Sequence, residues 1–301
     1  MDYSVIIIGS GPAGLSSAVY SARAGKSTLV IEKEYEGTGQ IALSSQVDNY
    51  LGYHGISGYD LGEHFREHAL ALGVEIKTAT VTSIAKADDG FEVRIKVRKK
   101  EEVLKAENIV YAAGAKHRLL GVEGEAEFAG KGVSYCATCD GSFFKGKNVA
   151  VVGGGDTALD DALYMSSLAS QVYLIHRRDT FRGSFTALEK LKKRENVKII
   201  TPAQLVAIKG KERLESIELN TGEEIELDGV FIAVGMVPET DLLADLVERD
   251  DMGYIKAGED CRTSAPAIYV AGDVRSKALR QVVTAVADGA NAINSLLTDE
   301  K

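Results

Sequence analysis

Cysteine is scarce in this sequence, with three among 301 residues. That number is too small, and odd, for the disulfide framework of a small secreted protein. Positive charge is also in deficit, because 35 lysines and arginines face 44 acidic residues and leave a net charge of −9. Such a chain lacks the basic surface that binding to nucleic acid requires. We therefore expect no nucleic-acid partner.

Long apolar runs are missing as well. A membrane-spanning helix needs about 18 or more consecutive apolar residues, and the sequence contains no such run. The chain enters an apolar strand at Ser4–Ile8 without a basic leader segment. We expect no membrane partner, no export and a cytoplasmic location. The hydrophobic content of 45% and the charged content of 26% are typical of a globular protein.

The beginning of the chain predicts a strand, a glycine turn, a helix and a second strand. The apolar run Val5–Ile8 is typical of a buried parallel strand, and Gly9–Gly14 after it is a G-x-G-x-x-G turn. Its first glycine permits the tight turn, its second lets the backbone approach a pyrophosphate, and its third lets helix and strand pack closely. The second strand, Ser27–Ile31, ends at Glu32, a carboxylate suited to a ribose hydroxyl. This unit predicts a site for the ADP half of FAD or NAD.

The same order of elements returns in the middle of the chain. A strand leads into the G-x-G-x-x-A turn Gly153–Ala158, and a helix and the strand Val172–Ile175 follow. This second strand runs into His176–Arg178, with Arg182 shortly after. Arginines at this point favour the 2′-phosphate of NADPH over the free hydroxyl of NADH. A solvated basic face is the alternative, but the cluster falls where the ribose of the cofactor would lie.

Two later strands complete the first unit and enclose the second. Ile109–Ala115 and Ala267–Asp273 both run into small-residue turns, and the acid of Asp273 suits the ribityl chain of a flavin. We predict an α/β protein with two Rossmann-like (three-layer ββα) dinucleotide-binding domains, the NADPH domain inserted into the FAD domain. The predicted boundaries are 1–116 and 239–301 for the FAD domain and 117–238 for the NADPH domain.

Cys136 and Cys139 form a C-x-x-C within S-Y-C-A-T-C-D-G. A zinc site needs four ligands, and neither Cys261 nor any histidine has a spacing that pairs with these two cysteines. The H-x-x-E-H pattern at His64–His68 has no third ligand nearby, and we interpret it as chance. A structural staple would close too small a loop to stabilise much. We therefore expect no metal and favour thiol–disulfide exchange.

Four motifs together resemble one family. S-G-P-A-G near the start, C-A-T-C-D-G in the middle, H-R-R-D-x-F-R after the second unit and A-G-D-V…R-Q near the end are similar to the low-molecular-weight, bacterial-type thioredoxin reductases, class II pyridine nucleotide-disulfide oxidoreductases. The resemblance covers nearly the whole chain in order. It implies a homodimeric cytoplasmic enzyme that contains FAD and uses NADPH to reduce the disulfide of thioredoxin.

The resemblance also implies roles for individual residues. Cys136 would attack thioredoxin, Cys139 would face the flavin, and Asp140 would protonate a leaving thiolate. The residues expected to hold FAD are Gly9, Ser10, Gly11, Pro12, Ala13, Gly14, Glu32, Lys33, Gly39, Gln40, Asn49, Val81, Ala113, Gly114, Gly272, Asp273, Arg280, Gln281 and Val282. Those expected to hold NADPH are Gly155, Asp156, Thr157, His176, Arg177, Arg178 and Arg182. Two positions depart from the family pattern: Thr38 stands where glycine is frequent, and Asp156 places a carboxylate beside the second pyrophosphate turn.

Two alternatives stay open at this point. One is a related flavin disulfide reductase that serves another dithiol partner, such as a peroxiredoxin system or a glutaredoxin-like protein. The other is a flavin-binding redox sensor that does not turn over, against which the intact arginine cluster and the intact C-x-x-C both count.

Overall fold

The computed structural model describes residues 1–35, 37–44 and 46–300. The chain forms two compact units. Unit 1 consists of Met1–Lys116 together with the segment from Val237 onwards, and unit 2 is His117–Met236. Unit 2 is therefore inserted into unit 1, which the chain leaves once and re-enters once.

The elements are numbered in chain order. The strands are β1 (Tyr3–Ile8), β2 (Thr28–Glu32), β3 (Glu75–Thr78), β4 (Thr80–Ala87), β5 (Gly90–Val97), β6 (Lys100–Tyr111), β7 (Ala115–His117), β8 (Val133–Ser134), β9 (Asn148–Val152), β10 (Gln171–Ile175), β11 (Val197–Ile200), β12 (Leu205–Gly210), β13 (Leu214–Leu219), β14 (Glu224–Glu226), β15 (Gly229–Ile232), β16 (Met236–Pro238) and β17 (Ile268–Val270). The helices are α1 (Pro12–Arg23), α2 (Gly58–Ala71), α3 (Ala137–Asp140), α4 (Asp156–Ser166), α5 (Phe185–Lys192) and α6 (Val282–Asp299).

Unit 1 is built on one mixed sheet in the order β3-β2-β1-β6-β5-β4, with β17 paired to β6. β6 is long enough to belong to two parts of this sheet. Its first half pairs antiparallel with β5, and its second half pairs in parallel with β1 and β17. Parallel strands buried on both faces are apolar without alternation, as β1 is at Val5–Ile8. The carboxyl ends of β1, β2, β6 and β17 consequently meet at one edge of the sheet.

Helices α1 and α6 pack against each other in unit 1. A side chain at Gly289 would overlap the Ala13 carbonyl oxygen, so glycine there permits the close approach of the two helices. The Ser16 hydroxyl donates to the Val286 carbonyl at 2.7 Å and adds a polar link between them. This packing fixes the beginning of α1, which follows the first glycine turn.

Unit 2 contains a parallel sheet in the order β11-β10-β9-β15-β8 and an antiparallel sheet in the order β12-β13-β14. One apolar core lies between these sheets and includes Val152, Ile217 and Val230. The other packs α4 and α5 on the opposite face through residues such as Leu159 and Leu191. The strand β8 leads directly into the C-x-x-C segment, so a sheet edge supports the redox cysteines.

The predicted fold class is confirmed: two βαβ nucleotide-binding patterns lie in the parallel parts of two sheets, and one unit interrupts the other. β5 and β6 form an antiparallel hairpin, and apolar and charged residues alternate along β5. The β12–β14 sheet was not predicted from the sequence. In residues 1–35, 37–44 and 46–300, no helix has the length and apolarity needed to cross a membrane.

Candidate active site

The first glycine turn lies between β1 and α1. Gly9 has a φ of +100°, and a side chain there would overlap the Ala112 carbonyl. A side chain at Gly14 would overlap the Gly9 carbonyl, so both glycines are required by the fold itself. Pro12, Ala13 and Gly14 form the first turn of α1, whose free N–H groups and partial positive charge suit a phosphate.

Glu32 ends β2 next to this turn. Its Oε2 accepts hydrogen bonds from the Ser10 N–H at 2.9 Å and from the Ser10 hydroxyl at 2.8 Å. The structure thus brings the predicted ribose-binding carboxylate onto the predicted phosphate-binding turn. Lys33, which follows, is exposed.

The turn after β17 carries Gly272 and Asp273. Gly272 has a φ of +82°, and a side chain there would lie 2.9 Å from the Ala13 side chain, which places this turn at the beginning of α1. Asp273 Oδ1 is buried and has no hydrogen-bond partner. Burial raises the pKa of Asp273, although the nearby Lys277 and Arg280 act in the opposite direction. A buried acceptor without a donor is suited to a hydroxyl group of a bound cofactor.

The segment after this turn contributes Arg280, Gln281 and Val282. The Arg280 guanidinium lies over the Tyr254 ring, with 4.1 Å between its Cζ and the ring centroid. Gln281 caps α6, and its Oε1 accepts from Asn49 Nδ2 at 2.9 Å. Two predicted cofactor residues that are 232 positions apart are therefore in direct contact. Val282 packs with the apolar cluster of Ile41, Val47 and Leu61.

Other predicted residues of unit 1 fall into two groups. Gly39 lies against the first glycine turn, since a side chain there would come within 2.9 Å of the Gly11 Cα. Gln40 Nε2 donates to the Ala115 carbonyl, and Ala113 and Gly114 follow the end of β6 at the same sheet edge. Val81 differs from them, because it lies in β4 and packs against the apolar core of unit 1.

The second glycine turn lies between β9 and α4 in unit 2. Gly153 has a φ of +157°, and a side chain there would overlap the Ala233 carbonyl. Gly155 caps α4, and Asp156 and Thr157 form its exposed first turn. Asp156 Oδ1 accepts from the Ser184 N–H at 2.7 Å. The carboxylate that departs from the family pattern thus binds a neighbouring loop.

The basic segment after β10 is attached to this second turn. The Arg182 and Gly183 N–H groups donate to the Gly154 carbonyl at 2.8 and 3.2 Å. The His176 ring is buried where a side chain at Gly154 would lie, and its Nε2 has no hydrogen-bond partner. Burial lowers the pKa of His176, and the positive charges of the three nearby arginines lower it further. Arg177, Arg178 and Arg182 are exposed beside the turn.

The middle glycines of the two turns show how the residues present fit a dinucleotide. A methyl group at Gly11 would make an ordinary 3.8 Å contact with the Gly39 Cα, and a methyl group at Gly155 would meet nothing within 4 Å. Their φ angles of −67° and −98° are open to other residues. Packing within the chain therefore does not require glycine at these positions, whereas close approach of a pyrophosphate does. The turns fit the cofactors that the sequence predicts.

The redox segment of unit 2 joins β8 to α3. Cys136 and Cys139 form a disulfide bond, with their Cα atoms 5.3 Å apart. Cys136 precedes the first residue of α3, and its carbonyl accepts from the Cys139 and Asp140 N–H groups at 3.2 and 3.1 Å. A side chain at Gly141 would lie 2.8 Å from atoms of Tyr164 and Met165, so α4 packs directly against the end of this segment.

Asp140 is partly buried beside the disulfide. Burial raises the pKa of its carboxyl group, and a hydrogen bond from the Ser134 hydroxyl opposes this effect in part. The bond joins Ser134 Oγ to Asp140 Oδ2 at 2.6 Å. A carboxyl group with a raised pKa is suited to donate a proton.

Sequence reasoning missed two groups of site residues. The first is Ser134, whose hydroxyl group donates to Asp140. Its position two residues before the C-x-x-C could have indicated it in the sequence. The carboxylate of Asp288 accepts from the Gly272 N–H at 2.9 Å and pairs with Arg275 and Lys277 in the interior of unit 1. No sequence pattern indicates this cluster, because Asp288 meets these residues only when α6 packs against the turn.

The geometry also bears on metal binding and on the third cysteine. In the part of the chain that the structure describes, no group of three or more His, Cys, Asp and Glu side chains could hold a metal ion. Cys261 is fully buried, and burial raises the pKa of its thiol to about 12. Cys261 is thus an interior thiol of unit 1.

Comparison with known proteins agrees with this geometry. Residues 3–289 match the pyridine nucleotide-disulphide oxidoreductase family. The chain is 44% identical over 300 residues to the thioredoxin reductase of Treponema pallidum (strain Nichols), covering 98% of this chain and 96% of that protein. It is 40% identical over 300 residues to the thioredoxin reductase of Bacillus subtilis (strain 168), covering 98% and 93%.

Solved structures give the same result. The crystal structure of thioredoxin reductase from Streptococcus pyogenes MGAS5005 superposes with a TM-score of 0.89 at 36% identity, covering 98% of each chain. The family match spans both glycine turns and the disulfide, so it includes every element of the candidate site. The chain belongs to the pyridine nucleotide-disulphide oxidoreductase family.

Proposed function

We propose that this protein is an NADPH-dependent thioredoxin reductase that contains FAD. Electrons would pass from NADPH through FAD and the Cys136–Cys139 disulfide to the disulfide of thioredoxin. Relatives named thioredoxin reductase that are 40–44% identical over 300 residues support this choice among the flavin disulfide reductases. In line with the family resemblance, the proposal includes a homodimer in the cytoplasm, with no membrane or nucleic-acid partner.

One observation carries the proposal. The disulfide Cys136–Cys139 lies in the same compact unit as a dinucleotide turn that is bordered by Arg177, Arg178 and Arg182. A disulfide that served only to stabilise the fold would close a loop of two intervening residues and constrain the unfolded chain little. Its neighbour Asp140 supplies a proton donor. These features together favour electron transfer over a structural role.

The residues that would hold the cofactors follow from the geometry. In unit 1, the N–H groups at the beginning of α1 would bind the FAD pyrophosphate, Glu32 a ribose hydroxyl, and the unpaired Asp273 Oδ1 a ribityl hydroxyl. In unit 2, the beginning of α4 would bind the NADPH pyrophosphate and the arginines its 2′-phosphate. Bound FAD would supply the two-electron step between NADPH and the disulfide.

The reduced dithiol then reacts by thiol–disulfide exchange. The Cys136 thiolate attacks one sulfur of the thioredoxin disulfide, which forms a mixed disulfide and releases one thioredoxin thiolate. The Cys139 thiolate attacks Cys136 Sγ in the mixed disulfide, which restores the Cys136–Cys139 bond and releases the second thioredoxin thiolate. Two electrons leave this chain and reduce the disulfide of thioredoxin. In the first step Asp140 gives its proton to the leaving thiolate, and it regains one from the Cys139 thiol.

Anaerobic half-reactions test the proposal. The flavin-containing protein has two two-electron acceptors, FAD and the Cys136–Cys139 disulfide, so two equivalents of NADPH are needed to bleach the flavin fully. NADPH should do so faster than NADH, and oxidised thioredoxin should restore the flavin absorbance. Cys136→Ser should keep the bleaching by NADPH and lose the reoxidation by thioredoxin. Cys261→Ser is the matched control, since this buried thiol has no assigned role and its loss should leave both half-reactions unchanged.

The same assay separates the alternatives. Reoxidation by a peroxiredoxin or a glutaredoxin-like protein but not by thioredoxin would assign a different dithiol partner. Bleaching without reoxidation by any dithiol protein would indicate a sensor that does not turn over. Thioredoxin reduction by Cys136→Ser at the wild-type rate would refute the role of Cys136 as the attacking thiol.

A further inference from the structure

The hydroxyl group of Ser134 lies between the backbone of Cys136 and the side chain of Asp140. Ser134 is 5% exposed, and its Oγ donates to Asp140 Oδ2 at 2.6 Å. The same Oγ accepts from the Cys136 N–H at 3.1 Å. A second acceptor, the Cys136 carbonyl oxygen, is 3.4 Å away, so the carboxylate is the closer partner for the single hydroxyl proton.

Ser134 is part of the sheet, whereas Cys136 and Asp140, which it contacts, lie outside it. It is the last residue of β8, and it pairs with Phe231 in the parallel sheet of unit 2. Asp140 ends the single turn of α3. The bond between them therefore ties the end of the redox segment back to the sheet edge from which the segment begins.

We propose that Ser134 is a positioning residue for Asp140, holding the carboxyl group in one orientation beside the Cys136–Cys139 pair. The inference rests on the proposed function, because it assigns a partner to the proton donor of that reaction. Ser134 itself touches neither a thioredoxin sulfur nor a cofactor in that reaction. It acts through Asp140.

Burial and the Ser134 hydroxyl group act on the acidity of Asp140 in opposite directions, and burial has the larger effect. Burial raises the pKa of Asp140, and the Ser134 hydroxyl lowers it because a donated hydrogen bond favours the ionised carboxylate. Tyr164 of α4 is the titratable neighbour of this segment, through its contact with Gly141. The other titratable groups of α4, the carboxylates Asp156, Asp160 and Asp161, are not among the causes that shift Asp140.

The first test titrates Asp140 directly in the flavin-containing protein. Difference infrared spectra against Asp140→Asn isolate the carboxyl stretch of the protonated side chain. In Ser134→Ala the ionised form loses its donor, so the midpoint of this titration should rise by about one pH unit, since a hydrogen bond to a charged group contributes on that scale. Ser142→Ala, an exposed serine of the same segment, should titrate like the wild type.

The second test follows kcat/KM for thioredoxin against pH. A proton donor must be protonated to act, so activity falls as pH rises through the pKa of Asp140. In Ser134→Ala the fall of kcat/KM should occur about one unit higher in pH. The maximum of kcat/KM should be roughly 3- to 10-fold lower, because the Asp140 carboxyl group is no longer held in one orientation. Ser134→Thr keeps the hydroxyl group and should restore the wild-type pH at which kcat/KM falls.

A double-mutant cycle separates positioning from structural support. If Ser134 acts through Asp140, Ser134→Ala should change kcat/KM by less than about twofold in an Asp140→Asn background. If it acted only by accepting from the Cys136 N–H, the loss would be the same in both backgrounds. That result, or an unchanged infrared midpoint in Ser134→Ala, would overturn the inference. The infrared titration stands apart from the proposed function, since it gives an answer even if the protein does not reduce thioredoxin.

Discussion

At the scale of single residues, Asp288 shows how a buried charge supports a binding turn. Its carboxylate accepts from the Gly272 N–H at 2.9 Å, from Arg275 at 2.7 and 2.9 Å, and from Lys277 at 2.7 Å. Burial alone would raise the pKa of Asp288, but the hydrogen bonds from Arg275 and Lys277 outweigh it and the pKa is lowered. The ionised form is therefore stabilised in the folded protein, together with the turn that carries Asp273.

Asp288→Asn should destabilise the flavin-free protein in a pH-dependent way. Removing one member of a buried ion cluster leaves its partners uncompensated, which costs about 3 kcal/mol or more of unfolding free energy at pH 7. Because the folded pKa of Asp288 is lowered, its contribution is complete above the unfolded value of about 3.9 and is lost as pH falls below that value. Denaturant unfolding measures this at pH 7 and pH 3. The unfolding free energies of Asp288→Asn and the wild type should differ less at pH 3 than at pH 7.

Asp299→Asn provides the control on the same helix. Asp299 also pairs with an arginine, at 2.8 Å from Arg262 Nη2, but the pair lies at the surface. Exposed ion pairs contribute little, so this variant should unfold much as the wild type does. If both variants lost the same unfolding free energy, burial would add nothing to the stabilisation that Asp288 provides.

The arginine segment predicts the cofactor preference. Replacing both Arg177 and Arg178 by serine removes two exposed cations beside the second glycine turn. The loss of charge-assisted contacts to a 2′-phosphate should lower kcat/KM for NADPH by roughly 10- to 100-fold and leave that for NADH nearly unchanged. Steady-state assays with both cofactors measure the ratio. Arg213→Ser, an exposed arginine in the β12–β13 turn, should not change it.

At the scale of elements, the two strand–turn–helix motifs contain glycines of two kinds. Gly14 is required by packing, because its side chain would overlap the Gly9 carbonyl. Gly11 and Gly155 have room for a methyl group and ordinary φ angles. Substitution can therefore separate what the fold needs from what a bound dinucleotide needs.

Alanine should reduce stability at Gly14 and reduce dinucleotide binding at Gly155. Gly14→Ala should lower the unfolding free energy by about 1–3 kcal/mol through overpacking. The unfolding free energy of Gly155→Ala should be within about 1 kcal/mol of the wild-type value. The lower entropy of the unfolded chain offsets the poorer helix cap that alanine provides. Gly155→Ala should nevertheless weaken NADPH binding at least tenfold in fluorescence titrations. Unweakened binding in Gly155→Ala would mean that no pyrophosphate approaches this turn.

The local motifs explain how much of the structure the sequence could predict. Strands such as Val5–Ile8 and Val172–Ile175 were predicted because buried parallel strands are apolar without interruption, and the glycines between strand and helix are local features. The Asn49–Gln281 contact joins residues 232 positions apart, so no local pattern contains it. The Asp288 cluster spans only residues 272–288, but its members meet through the packing of α6 on the turn and follow no recognisable spacing. Ser134 was within reach of a local argument, but a serine near a C-x-x-C has no distinctive spacing.

At the scale of the whole molecule, the chain keeps separate apolar cores for its separate sites. Among the described residues, unit 1 buries apolar residues on both faces of its sheet and in a smaller cluster around Ile41, Val47 and Leu61. Unit 2 buries its apolar residues on the two faces of its parallel sheet. The first glycine turn and the Gly272–Asp273 turn belong to unit 1, whereas the second glycine turn and the disulfide belong to unit 2. A ligand that binds one set of turns should therefore stabilise the backbone of that unit.

Hydrogen exchange with and without ligands tests this division. Addition of NADP⁺ to the flavin-containing protein should slow amide exchange in peptides covering 153–158 and 176–184 by roughly tenfold or more, since bound N–H groups open less often. Peptides covering 9–14 and 270–282 should be slowed by FAD instead, when the flavin-containing and flavin-stripped proteins are compared. Each ligand thus reports on the turns of a different unit. Protection of 9–14 by NADP⁺, or of 153–158 by FAD, would reverse the assignment of the two units and refute the proposed cofactor sites.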